Sequence, residues 1–409
     1  MSNDLLDDLS LIGKRIRIIR MRRGKSLRVL AGLAGISKTH LCGIEQGFYT
    51  PNVRHLIDIA NALQISPEDL MRLPFPPPGN GDIDSAVQAT RLAVLAAIHD
   101  YPEGKICSVD ELQERVNTLL KIFFDECDPH VNVPSQLPSL IHDMHASINY
   151  GQEAPKLLDL AILLHTHITL RWLRLAGASV DLRTQTASLV GTIAKERGTS
   201  DAAGFAMYAG LYTLIITGAA DIAYQGMRTV MNQTMSPELT GILALSQSYL
   251  ASVTGCRADA DAALEMAQDI AARTGDSTAY WLGFGPAAVA QWSCAVLTEA
   301  GDYEQAVYAV DRLNLDAHPF RLLQADGRVM SAIVLARTKD RRTDAVMELK
   351  RAEDAYPHMV QRNQLARDLL ASLITRARSD AVGGELRKMA YRAGINMHVD
   401  PLPKTYPTG

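Results

Sequence analysis

Hydrophobic positions in the first part of the chain recur at the spacing of short amphipathic helices. Ile12, Ile16 and Ile19 lie on one face of a first helix, which Gly24 ends. Serine, glycine and proline residues divide the sequence that follows into four more helical stretches of similar length. The pattern therefore predicts a compact head of five short helices between residues 9 and 73.

Helices two and three of this head are joined by only a few residues. Ser26 is expected to cap helix two, residues 27–34, and Ser37 to cap helix three, residues 38–46. Gly35 begins the tight turn between them. The apolar residues predicted to face the core from this pair are Leu30, Leu33, Leu41 and Ile44. Two short helices joined in this way are typical of a helix-turn-helix.

Beyond the head, apolar residues keep a helical period, with no sustained alternation that would indicate strands. Residues 74–81 mark a Pro/Gly linker, because the prolines cannot continue a helix. The stretch from Asp128 to Ser139 contains Pro129, Pro134 and Pro138 and is predicted to form a long exposed loop.

Four segments of the remaining chain share one layout, an apolar helix, a turn and a second helix with alanines on its buried face. The segments are 208–227, 250–270, 294–313 and 333–352. Small residues at fixed places allow the two helices of a hairpin to pack closely. The layout resembles tetratricopeptide repeats, although the Trp, Leu-Gly and Tyr positions of those repeats are mostly degenerate. An irregular helical bundle is the alternative.

The predicted fold class is therefore all-α, a five-helix head followed by an α-solenoid of helical hairpins. The predicted divisions are the head at 1–73, the linker at 74–81, a helical connecting region at 82–150, the repeats at 151–399 and a tail at 400–409.

Charge is distributed unevenly between these parts. The whole chain of 409 residues has a net charge of −4, yet Lys14 to Arg28 contains eight basic residues and no acidic one. A basic head on an acidic body suits binding of an anion such as DNA, although a basic run is more often a solvated helix face. Five dispersed cysteines favour a reducing cytoplasm. No signal peptide is expected, and apolar runs such as Leu157–Leu164 are too short to span a bilayer.

The head resembles the lambda-repressor/Cro-like (XRE) family over its whole length. The positions that match the family pattern are Ala31, Gly35, Ile36, Ile44, Glu45, Gly47, Pro51, Leu56, Ile59, Ala60 and Leu63. The resemblance implies a sequence-specific DNA-binding transcriptional regulator that acts as a symmetric homodimer, because one head covers only half of a two-fold operator.

The resemblance also implies residue roles. Lys38 and Thr39, at the exposed start of helix three, are expected to read bases in the major groove, with Ser37 and His40 beside them. The residues expected near DNA phosphates are Ser26, Arg28, Asn52 and Arg54. Arg20 and Glu45 match a structural ion pair.

Two positions depart from the family pattern. Gly43 stands where a third base-reading side chain is common, and Leu27 where many members have Gln. Readout is therefore expected to depend more on DNA shape and phosphates. A degenerate head that is retained only for protein contact is the alternative.

Signals for other chemistry are weak. His142 and His145 lie three residues apart on a helix and could face one metal, but no Cys or acidic cluster accompanies them. His165 and His167 lie two residues apart and would point to different helix faces. The three tryptophans, Trp172, Trp281 and Trp292, are expected in the core. Gly283 to Pro286 is predicted to be a turn and not a phosphate loop. Neither an enzyme active site nor a cofactor is expected.

The body is expected to control the head. A helical-repeat groove suits a peptide or protein ligand, as in the peptide-responsive regulators of Gram-positive bacteria, which this architecture resembles. Candidate ligand contacts are Asn232, Gln247, Asn314 and Asn363, although a solvated surface is the alternative for each. The competing function is a scaffold that binds a fixed partner, with DNA binding secondary. A cytoplasmic, nucleoid-associated protein without membrane contact is expected.

Overall fold

The computed structural model of the chain describes residues 11–71, 81–125, 129–374 and 381–395. Within these ranges the regular structure is helical and includes no strand, which confirms the all-α prediction. The helices of the head are α1 (Leu11–Arg22), α2 (Leu27–Leu33), α3 (Lys38–Glu45), α4 (Val53–Leu63) and α5 (Pro67–Met71). None of the described helices is both long and apolar enough to cross a membrane.

The other helices follow in chain order. The first group is α6 (Gly81–Ile98), α7 (Val109–Asp125), α8 (Pro129–Tyr150), α9 (Ala154–Leu163), a π-helical segment (Leu164–Thr169), α10 (Leu170–Ala176) and α11 (Val180–Arg197). The second group is α12 (Ser200–Ile216), α13 (Ala220–Met231), α14 (Pro237–Thr254), α15 (Arg257–Thr274), α16 (Pro286–Ala300), α17 (Tyr303–Asp311), α18 (Arg321–Leu335), α19 (Arg342–Ala355), α20 (Pro357–Gln361), α21 (Gln364–Ile374) and α22 (Ala381–Arg392). Most of the predicted 74–81 linker and the whole 400–409 tail lie outside the described residues.

The core of the head follows the predicted helical spacing with one exception. Leu30, Leu41 and Ile44 are buried as expected, but the Leu33 side chain is 58% exposed, so its predicted burial is wrong. The inward arc of α2 is formed by Leu30, Ala31 and Ala34. Leu33 lies on the opposite side of Leu30 from the two alanines, because each residue advances about 100° around the helix. The register of the short helix therefore turns Leu33 outward.

Four hairpins stand where the sequence places them. They are the pairs α12–α13, α14–α15, α16–α17 and α18–α19, and each first helix also packs against the first helix of the next pair. Gly255 and Gly301 make two of the turns with φ of +85°, a backbone conformation that favours glycine. Stacking of successive pairs confirms the predicted array of helical hairpins.

The predicted loop over 128–139 is wrong for its described part. Residues from Pro129 onward belong to α8, which contains Pro134 and Pro138 within it. Proline removes a backbone donor from a helix interior, but the apolar residues after it recur at helical spacing and are buried. These buried residues are Val133, Leu137, Leu140, Ile141 and Met144. Burial of this face outweighs the lost hydrogen bonds, since each fully buried apolar side chain contributes about 1.5–3 kcal/mol.

Helix α7 connects the helices that precede the hairpin array to the last pair of the array. It packs against both the π-helical segment and α18. Phe123 and Phe124 at its end are fully buried, and the hydroxyl of Tyr356 donates to the carbonyl of Phe123 over 3.2 Å. The Phe124 ring lies 5.0 Å from Phe320 and 5.6 Å from Trp281 between ring centres. The interior of the array is therefore filled by aromatic side chains at this level.

Candidate nucleic-acid interface

Helices α2 and α3 form the predicted helix-turn-helix. The Ser26 hydroxyl accepts from the Val29 N–H over 3.2 Å, and the Ser37 hydroxyl accepts from the His40 N–H over 3.0 Å. Both predicted caps are therefore present, although each helix ends one residue earlier than expected. Gly35 has φ of +64° in the turn between the helices, a conformation that most side chains disfavour.

Five of the eight predicted DNA-contacting residues lie exposed at the starts of α2 and α3. They are Ser26, Arg28, Ser37, Lys38 and Thr39. A base-reading side chain must be exposed at the start of the helix that enters the groove, and Lys38 and Thr39 meet that requirement. The cap serines use their oxygens as acceptors, which leaves their hydroxyl protons able to donate to a phosphate. Contact of these residues with DNA remains a prediction.

His40 is turned toward the interior of the head. Its ring stacks on Tyr49 with centres 5.2 Å apart, and its Nε2 lies 3.4 Å from Nδ1 of His55 on α4. Burial, and then the nearby Arg337, lower the pKa of His40. Burial, followed by the charges of His40, Arg337 and Arg54, lowers the pKa of His55 to about 3. A neutral His40 in this position links α3 to α4 instead of pointing outward with Lys38.

Gly43, which lacks a base-reading side chain, has a packing role. It is buried, and a Cβ atom at this position would stand 2.4 Å from the Tyr49 ring. Atoms this close overlap strongly, since carbon atoms in contact lie about 3.5–4.0 Å apart. Glycine at 43 therefore makes room for the Tyr49 ring that stacks on His40.

The predicted ion pair between Arg20 and Glu45 is confirmed. Arg20 Nε donates to Glu45 Oε1 over 2.6 Å and Nη2 donates to Oε2 over 2.8 Å, while Nη1 reaches the carbonyl of Lys25 over 2.9 Å. The hydrogen bond to Glu45 is the main cause that raises the pKa of Arg20. This two-pronged contact fastens α1 to α3.

Asn52 and Arg54 lie where the head meets the repeats. Asn52 is buried, caps α4 by accepting from the His55 N–H over 2.8 Å, and donates from Nδ2 to the Thr298 carbonyl over 3.2 Å. The Arg54 guanidinium lies against Gly255, where an added Cβ would stand 3.0 Å from it. Phosphate contact by these two residues remains a prediction, and in this arrangement Asn52 is engaged with the repeats.

Glu299 is the residue at this boundary that sequence reasoning missed. Its two carboxylate oxygens accept from the N–H groups of Val53 and Arg54 over 3.1 and 2.9 Å, at the start of α4. Burial raises the pKa of Glu299, although these two hydrogen bonds act in the opposite direction. A single acidic residue at the end of a repeat helix gives no signal in the sequence for a contact 246 residues away.

Further contacts hold the head against the body. Arg337 Nη2 donates to the Thr50 carbonyl over 2.9 Å, and the Ser372 hydroxyl donates to the Gly47 carbonyl over 2.8 Å. Val180 and Ile216 of the body join the hydrophobic core of the head. The head is therefore packed on the repeats and is not merely tethered to them.

Among the described residues, the histidines of the body belong to no group of three or more His, Cys, Asp or Glu side chains that could hold a metal ion. His145 Nε2 lies 2.9 Å from His165 Nε2 in the core, whereas His167 packs against Phe124 and Phe205. The two π-segment histidines therefore face different neighbours, as their spacing predicts. Burial is the main cause that lowers the pKa of His145 to about 4 and the pKa of His165 and His167 well below the ordinary value.

Of the three tryptophans, Trp172 is fully buried, and Trp281 and Trp292 are half-buried against the core. The segment 283–285 is a non-helical turn that leads into α16 at Pro286, as predicted.

Comparison with known proteins adds one firm finding. Residues 11–73 match a family described as "Helix-turn-helix domain". No curated protein matches the chain. Among solved structures, the chain is similar to Bacillus thuringiensis PlcR in complex with the peptide PapR7 and DNA. That match has 11% sequence identity and a TM-score of 0.30, and it covers 87% of this chain and 99% of the other. At this score the likeness supports no inference about the present chain. The family match and the geometry of α2 and α3 together establish that the chain carries an N-terminal helix-turn-helix domain.

Proposed function

We propose that this protein is a transcriptional regulator that recognises specific DNA sequences through α3 of its helix-turn-helix. The observation that carries the proposal is the exposure of Lys38 and Thr39 at the start of α3, whereas the neighbouring His40 is engaged with α4 inside the head. Eight basic residues between Lys14 and Arg28 add a positive surface that attracts phosphates.

The regulator acts as a homodimer in this proposal. One helix-turn-helix reaches only one half-site, and two heads related by a two-fold axis would read a palindrome. The XRE-type resemblance of the head supports this assignment. The protein then works in the cytoplasm on chromosomal DNA.

Control by a ligand of the repeats is the second part of the proposal. A peptide or a partner protein bound to the hairpins would act on the head, because the hairpins contact it directly. Helix α14 packs against α4, and a groove of about 770 Å³ between α14 and α15 is lined by Thr240, Met266, Asp269 and Arg273. A ligand in this groove would contact the same hairpin whose turn, at Gly255, lies against Arg54 of the head.

The residues named earlier as ligand contacts receive unequal support. Asn232 and Asn314 are exposed, and Gln247 is half-buried in α14. Asn363 accepts from the N–H groups of Leu365 and Ala366, so its side chain supports its own helix. We therefore retain the first three as candidates and give Asn363 a structural role.

Chromatin immunoprecipitation with sequencing of the full-length protein tests the function. We expect enrichment at a small set of promoters that share a two-fold symmetric site. Affinity for that site should fall steeply with salt, since each neutralised phosphate adds about −0.9 to the slope of log K against log salt. Equal coverage of all DNA would favour the scaffold function over the regulator.

Lys38→Ala tests the role of α3. Loss of one base-reading contact should weaken binding to the operator by about 1–3 kcal/mol and relax the preference at one base position. Lys195→Ala, on an exposed site of α11, is the matched control and should leave binding unchanged. Operator affinity and base preference would be measured by fluorescence anisotropy on a set of single-base variants, and equal values for Lys38→Ala and the parent would refute the assignment.

A further inference from the structure

Carboxylate groups cross the boundary between head and repeats at three helix starts. Glu299 of α16 accepts from two N–H groups at the start of α4, and Asp368 of α21 accepts from the Ile12 N–H in α1 over 3.0 Å. In the reverse direction, the Glu68 carboxylate of the head lies near the start of α11, with its Oε1 4.0 Å from Arg183 Nη2; burial raises the pKa of Glu68 against the opposing effects of Arg183 and the Val180 N–H. The first N–H groups of a helix lack partners within it and favour negative charge, so each contact supplies an anion to a helix start.

The contact of Glu299 is the most completely built of the three. The residue is 7% exposed, and the Tyr249 hydroxyl lies 3.4 Å from its Oε1. Arg337 lies nearby and holds the Thr50 carbonyl just before α4. The repeats therefore enclose the start of α4 on the side where its first N–H groups, which have no partner within the helix, bind Glu299.

The same helix start lies beside α3, the helix proposed to enter the major groove. His40 of α3 touches His55 in the first turn of α4, so the two helix starts are neighbours. A major groove about 12 Å wide that receives α3 places its phosphate backbone beside the flanking elements of the head. A helix start with a capping Asn and two accessible N–H groups is a ready site for a phosphate. In the docked arrangement the Glu299 carboxylate fills that place.

We propose that Glu299 competes with a DNA phosphate for the start of α4, so that docking of the head on the repeats and DNA binding exclude one another. The inference depends on the proposed DNA-binding function. Repeats that hold α4 reduce the fraction of molecules able to bind DNA, and the apparent dissociation constant rises in proportion. A ligand that loosens α16 or α18 would release the head.

Glu299→Gln is the first test, because the amide has nearly the shape of the carboxylate but lacks the charge and one acceptor. Affinity of the full-length protein for its operator should rise roughly 3- to 30-fold, the range that a charge at a helix start supplies. Glu304→Gln removes the same charge from an exposed position of the next helix and is the matched control. It should leave the affinity unchanged.

Arg337→Gln separates release of the head from a change in charge. The variant removes a positive charge, which by itself would weaken DNA binding, but it also breaks the bond to the Thr50 carbonyl. Competition predicts tighter binding for both Arg337→Gln and Glu299→Gln. Weaker binding by Arg337→Gln, with equal gains for the two glutamate variants, would overturn the proposal in favour of simple electrostatics.

Hydrogen exchange distinguishes failure of this inference from failure of the proposed function. Amide protons of residues 52–56 should exchange faster in Glu299→Gln than in Glu304→Gln, whether or not DNA is present. Unchanged exchange at these residues would refute the proposal that Glu299 holds the start of α4. Absence of sequence-specific binding in the parent and all variants would instead refute the regulator function and the competition with it, while faster exchange would still establish the contact between head and repeats.

Discussion

Gly241 of α14 offers a sharp test of how the hairpins pack. A Cβ atom at this position would stand 2.1 Å from Phe284 Cζ and within 2.5 Å of two further atoms of that ring. Phe284 is fully buried in the turn before α16, so the ring has no solvent side toward which it can swing. The ring, the turn or α14 would have to move by about 1.5 Å to restore ordinary carbon contact.

Gly241→Ala should therefore destabilise the protein despite the better helix propensity of alanine. Overpacking of a core costs about 1–3 kcal/mol, and the gain from replacing a helical glycine is about 0.5–1 kcal/mol. The net loss in the free energy of unfolding should be about 0–2.5 kcal/mol. Urea unfolding followed by circular dichroism would measure it, with melting temperature as a second readout.

Gly210→Ala is the matched control, because it lies within helix α12 and an added Cβ meets no atom within 4 Å. It should stabilise the protein by about 0.5–1 kcal/mol. Phe284→Leu replaces the ring that the new methyl group would meet with a smaller side chain. The double variant with Gly241→Ala should therefore lose less stability than the sum of the losses of the two single variants. A Gly241→Ala variant as stable as Gly210→Ala would show that Phe284 does not pack on α14.

Two further predictions concern the head. Arg20→Ala should lower the stability of the head by about 2–3 kcal/mol, because Glu45 is left buried without its partner. Arg22→Ala is an exposed control and should change the stability by less than about 0.5 kcal/mol. Equal melting curves for the two variants would contradict the pairing of Arg20 with Glu45. His55, with a pKa of about 3, resists protonation in the folded head while the unfolded chain takes up a proton below pH about 6.5. Its contribution to stability is therefore complete above that pH and is lost toward pH 3, with a slope approaching 1.4 kcal/mol per pH unit at about pH 4–5. Urea unfolding across this range should show a shallower slope for His55→Asn, and an identical slope would contradict the buried neutral ring.

Local signals in the sequence predicted much of the head and the hairpins. Ser26 and Ser37 are caps because their hydroxyls satisfy N–H groups a few residues away, and a sequence window contains both partners. Gly255 and Gly301 mark turns because their own backbone conformation, with φ of +85°, favours glycine, which is also a local property. Helical periodicity then located the buried alanines of each hairpin.

Features that depend on distant partners could not be predicted in this way. The prolines of α8 suggested a loop, because the benefit of burying Val133 and Leu137 depends on helices elsewhere in the chain. His40 was placed beside DNA by its position in α3, whereas Tyr49 and His55 draw its ring inward. The predicted domain divisions stay predictions, although the head that they separate packs directly on the repeats.

The docking of the head on the repeats also explains why the predicted DNA-contacting residues fall into two groups. Ser26, Arg28 and Lys38 remain exposed at the starts of α2 and α3, while Asn52 is held by the repeats at the start of α4. The surface proposed to read bases is thus accessible, and one proposed phosphate anchor is occupied. Regulation through the repeats would act on the anchor and leave the reading surface unchanged.

Selection of binding sites from a pool of random double-stranded DNA by the full-length protein is the most direct test of sequence-specific recognition. We expect enrichment of a two-fold symmetric motif, with half-sites about 10–10.5 base pairs apart or a multiple of that spacing. Glu299→Gln should enrich the same motif with higher affinity, because the base-reading side chains are unchanged. A pool that remains random for the parent and for Glu299→Gln would contradict sequence-specific DNA recognition by this protein.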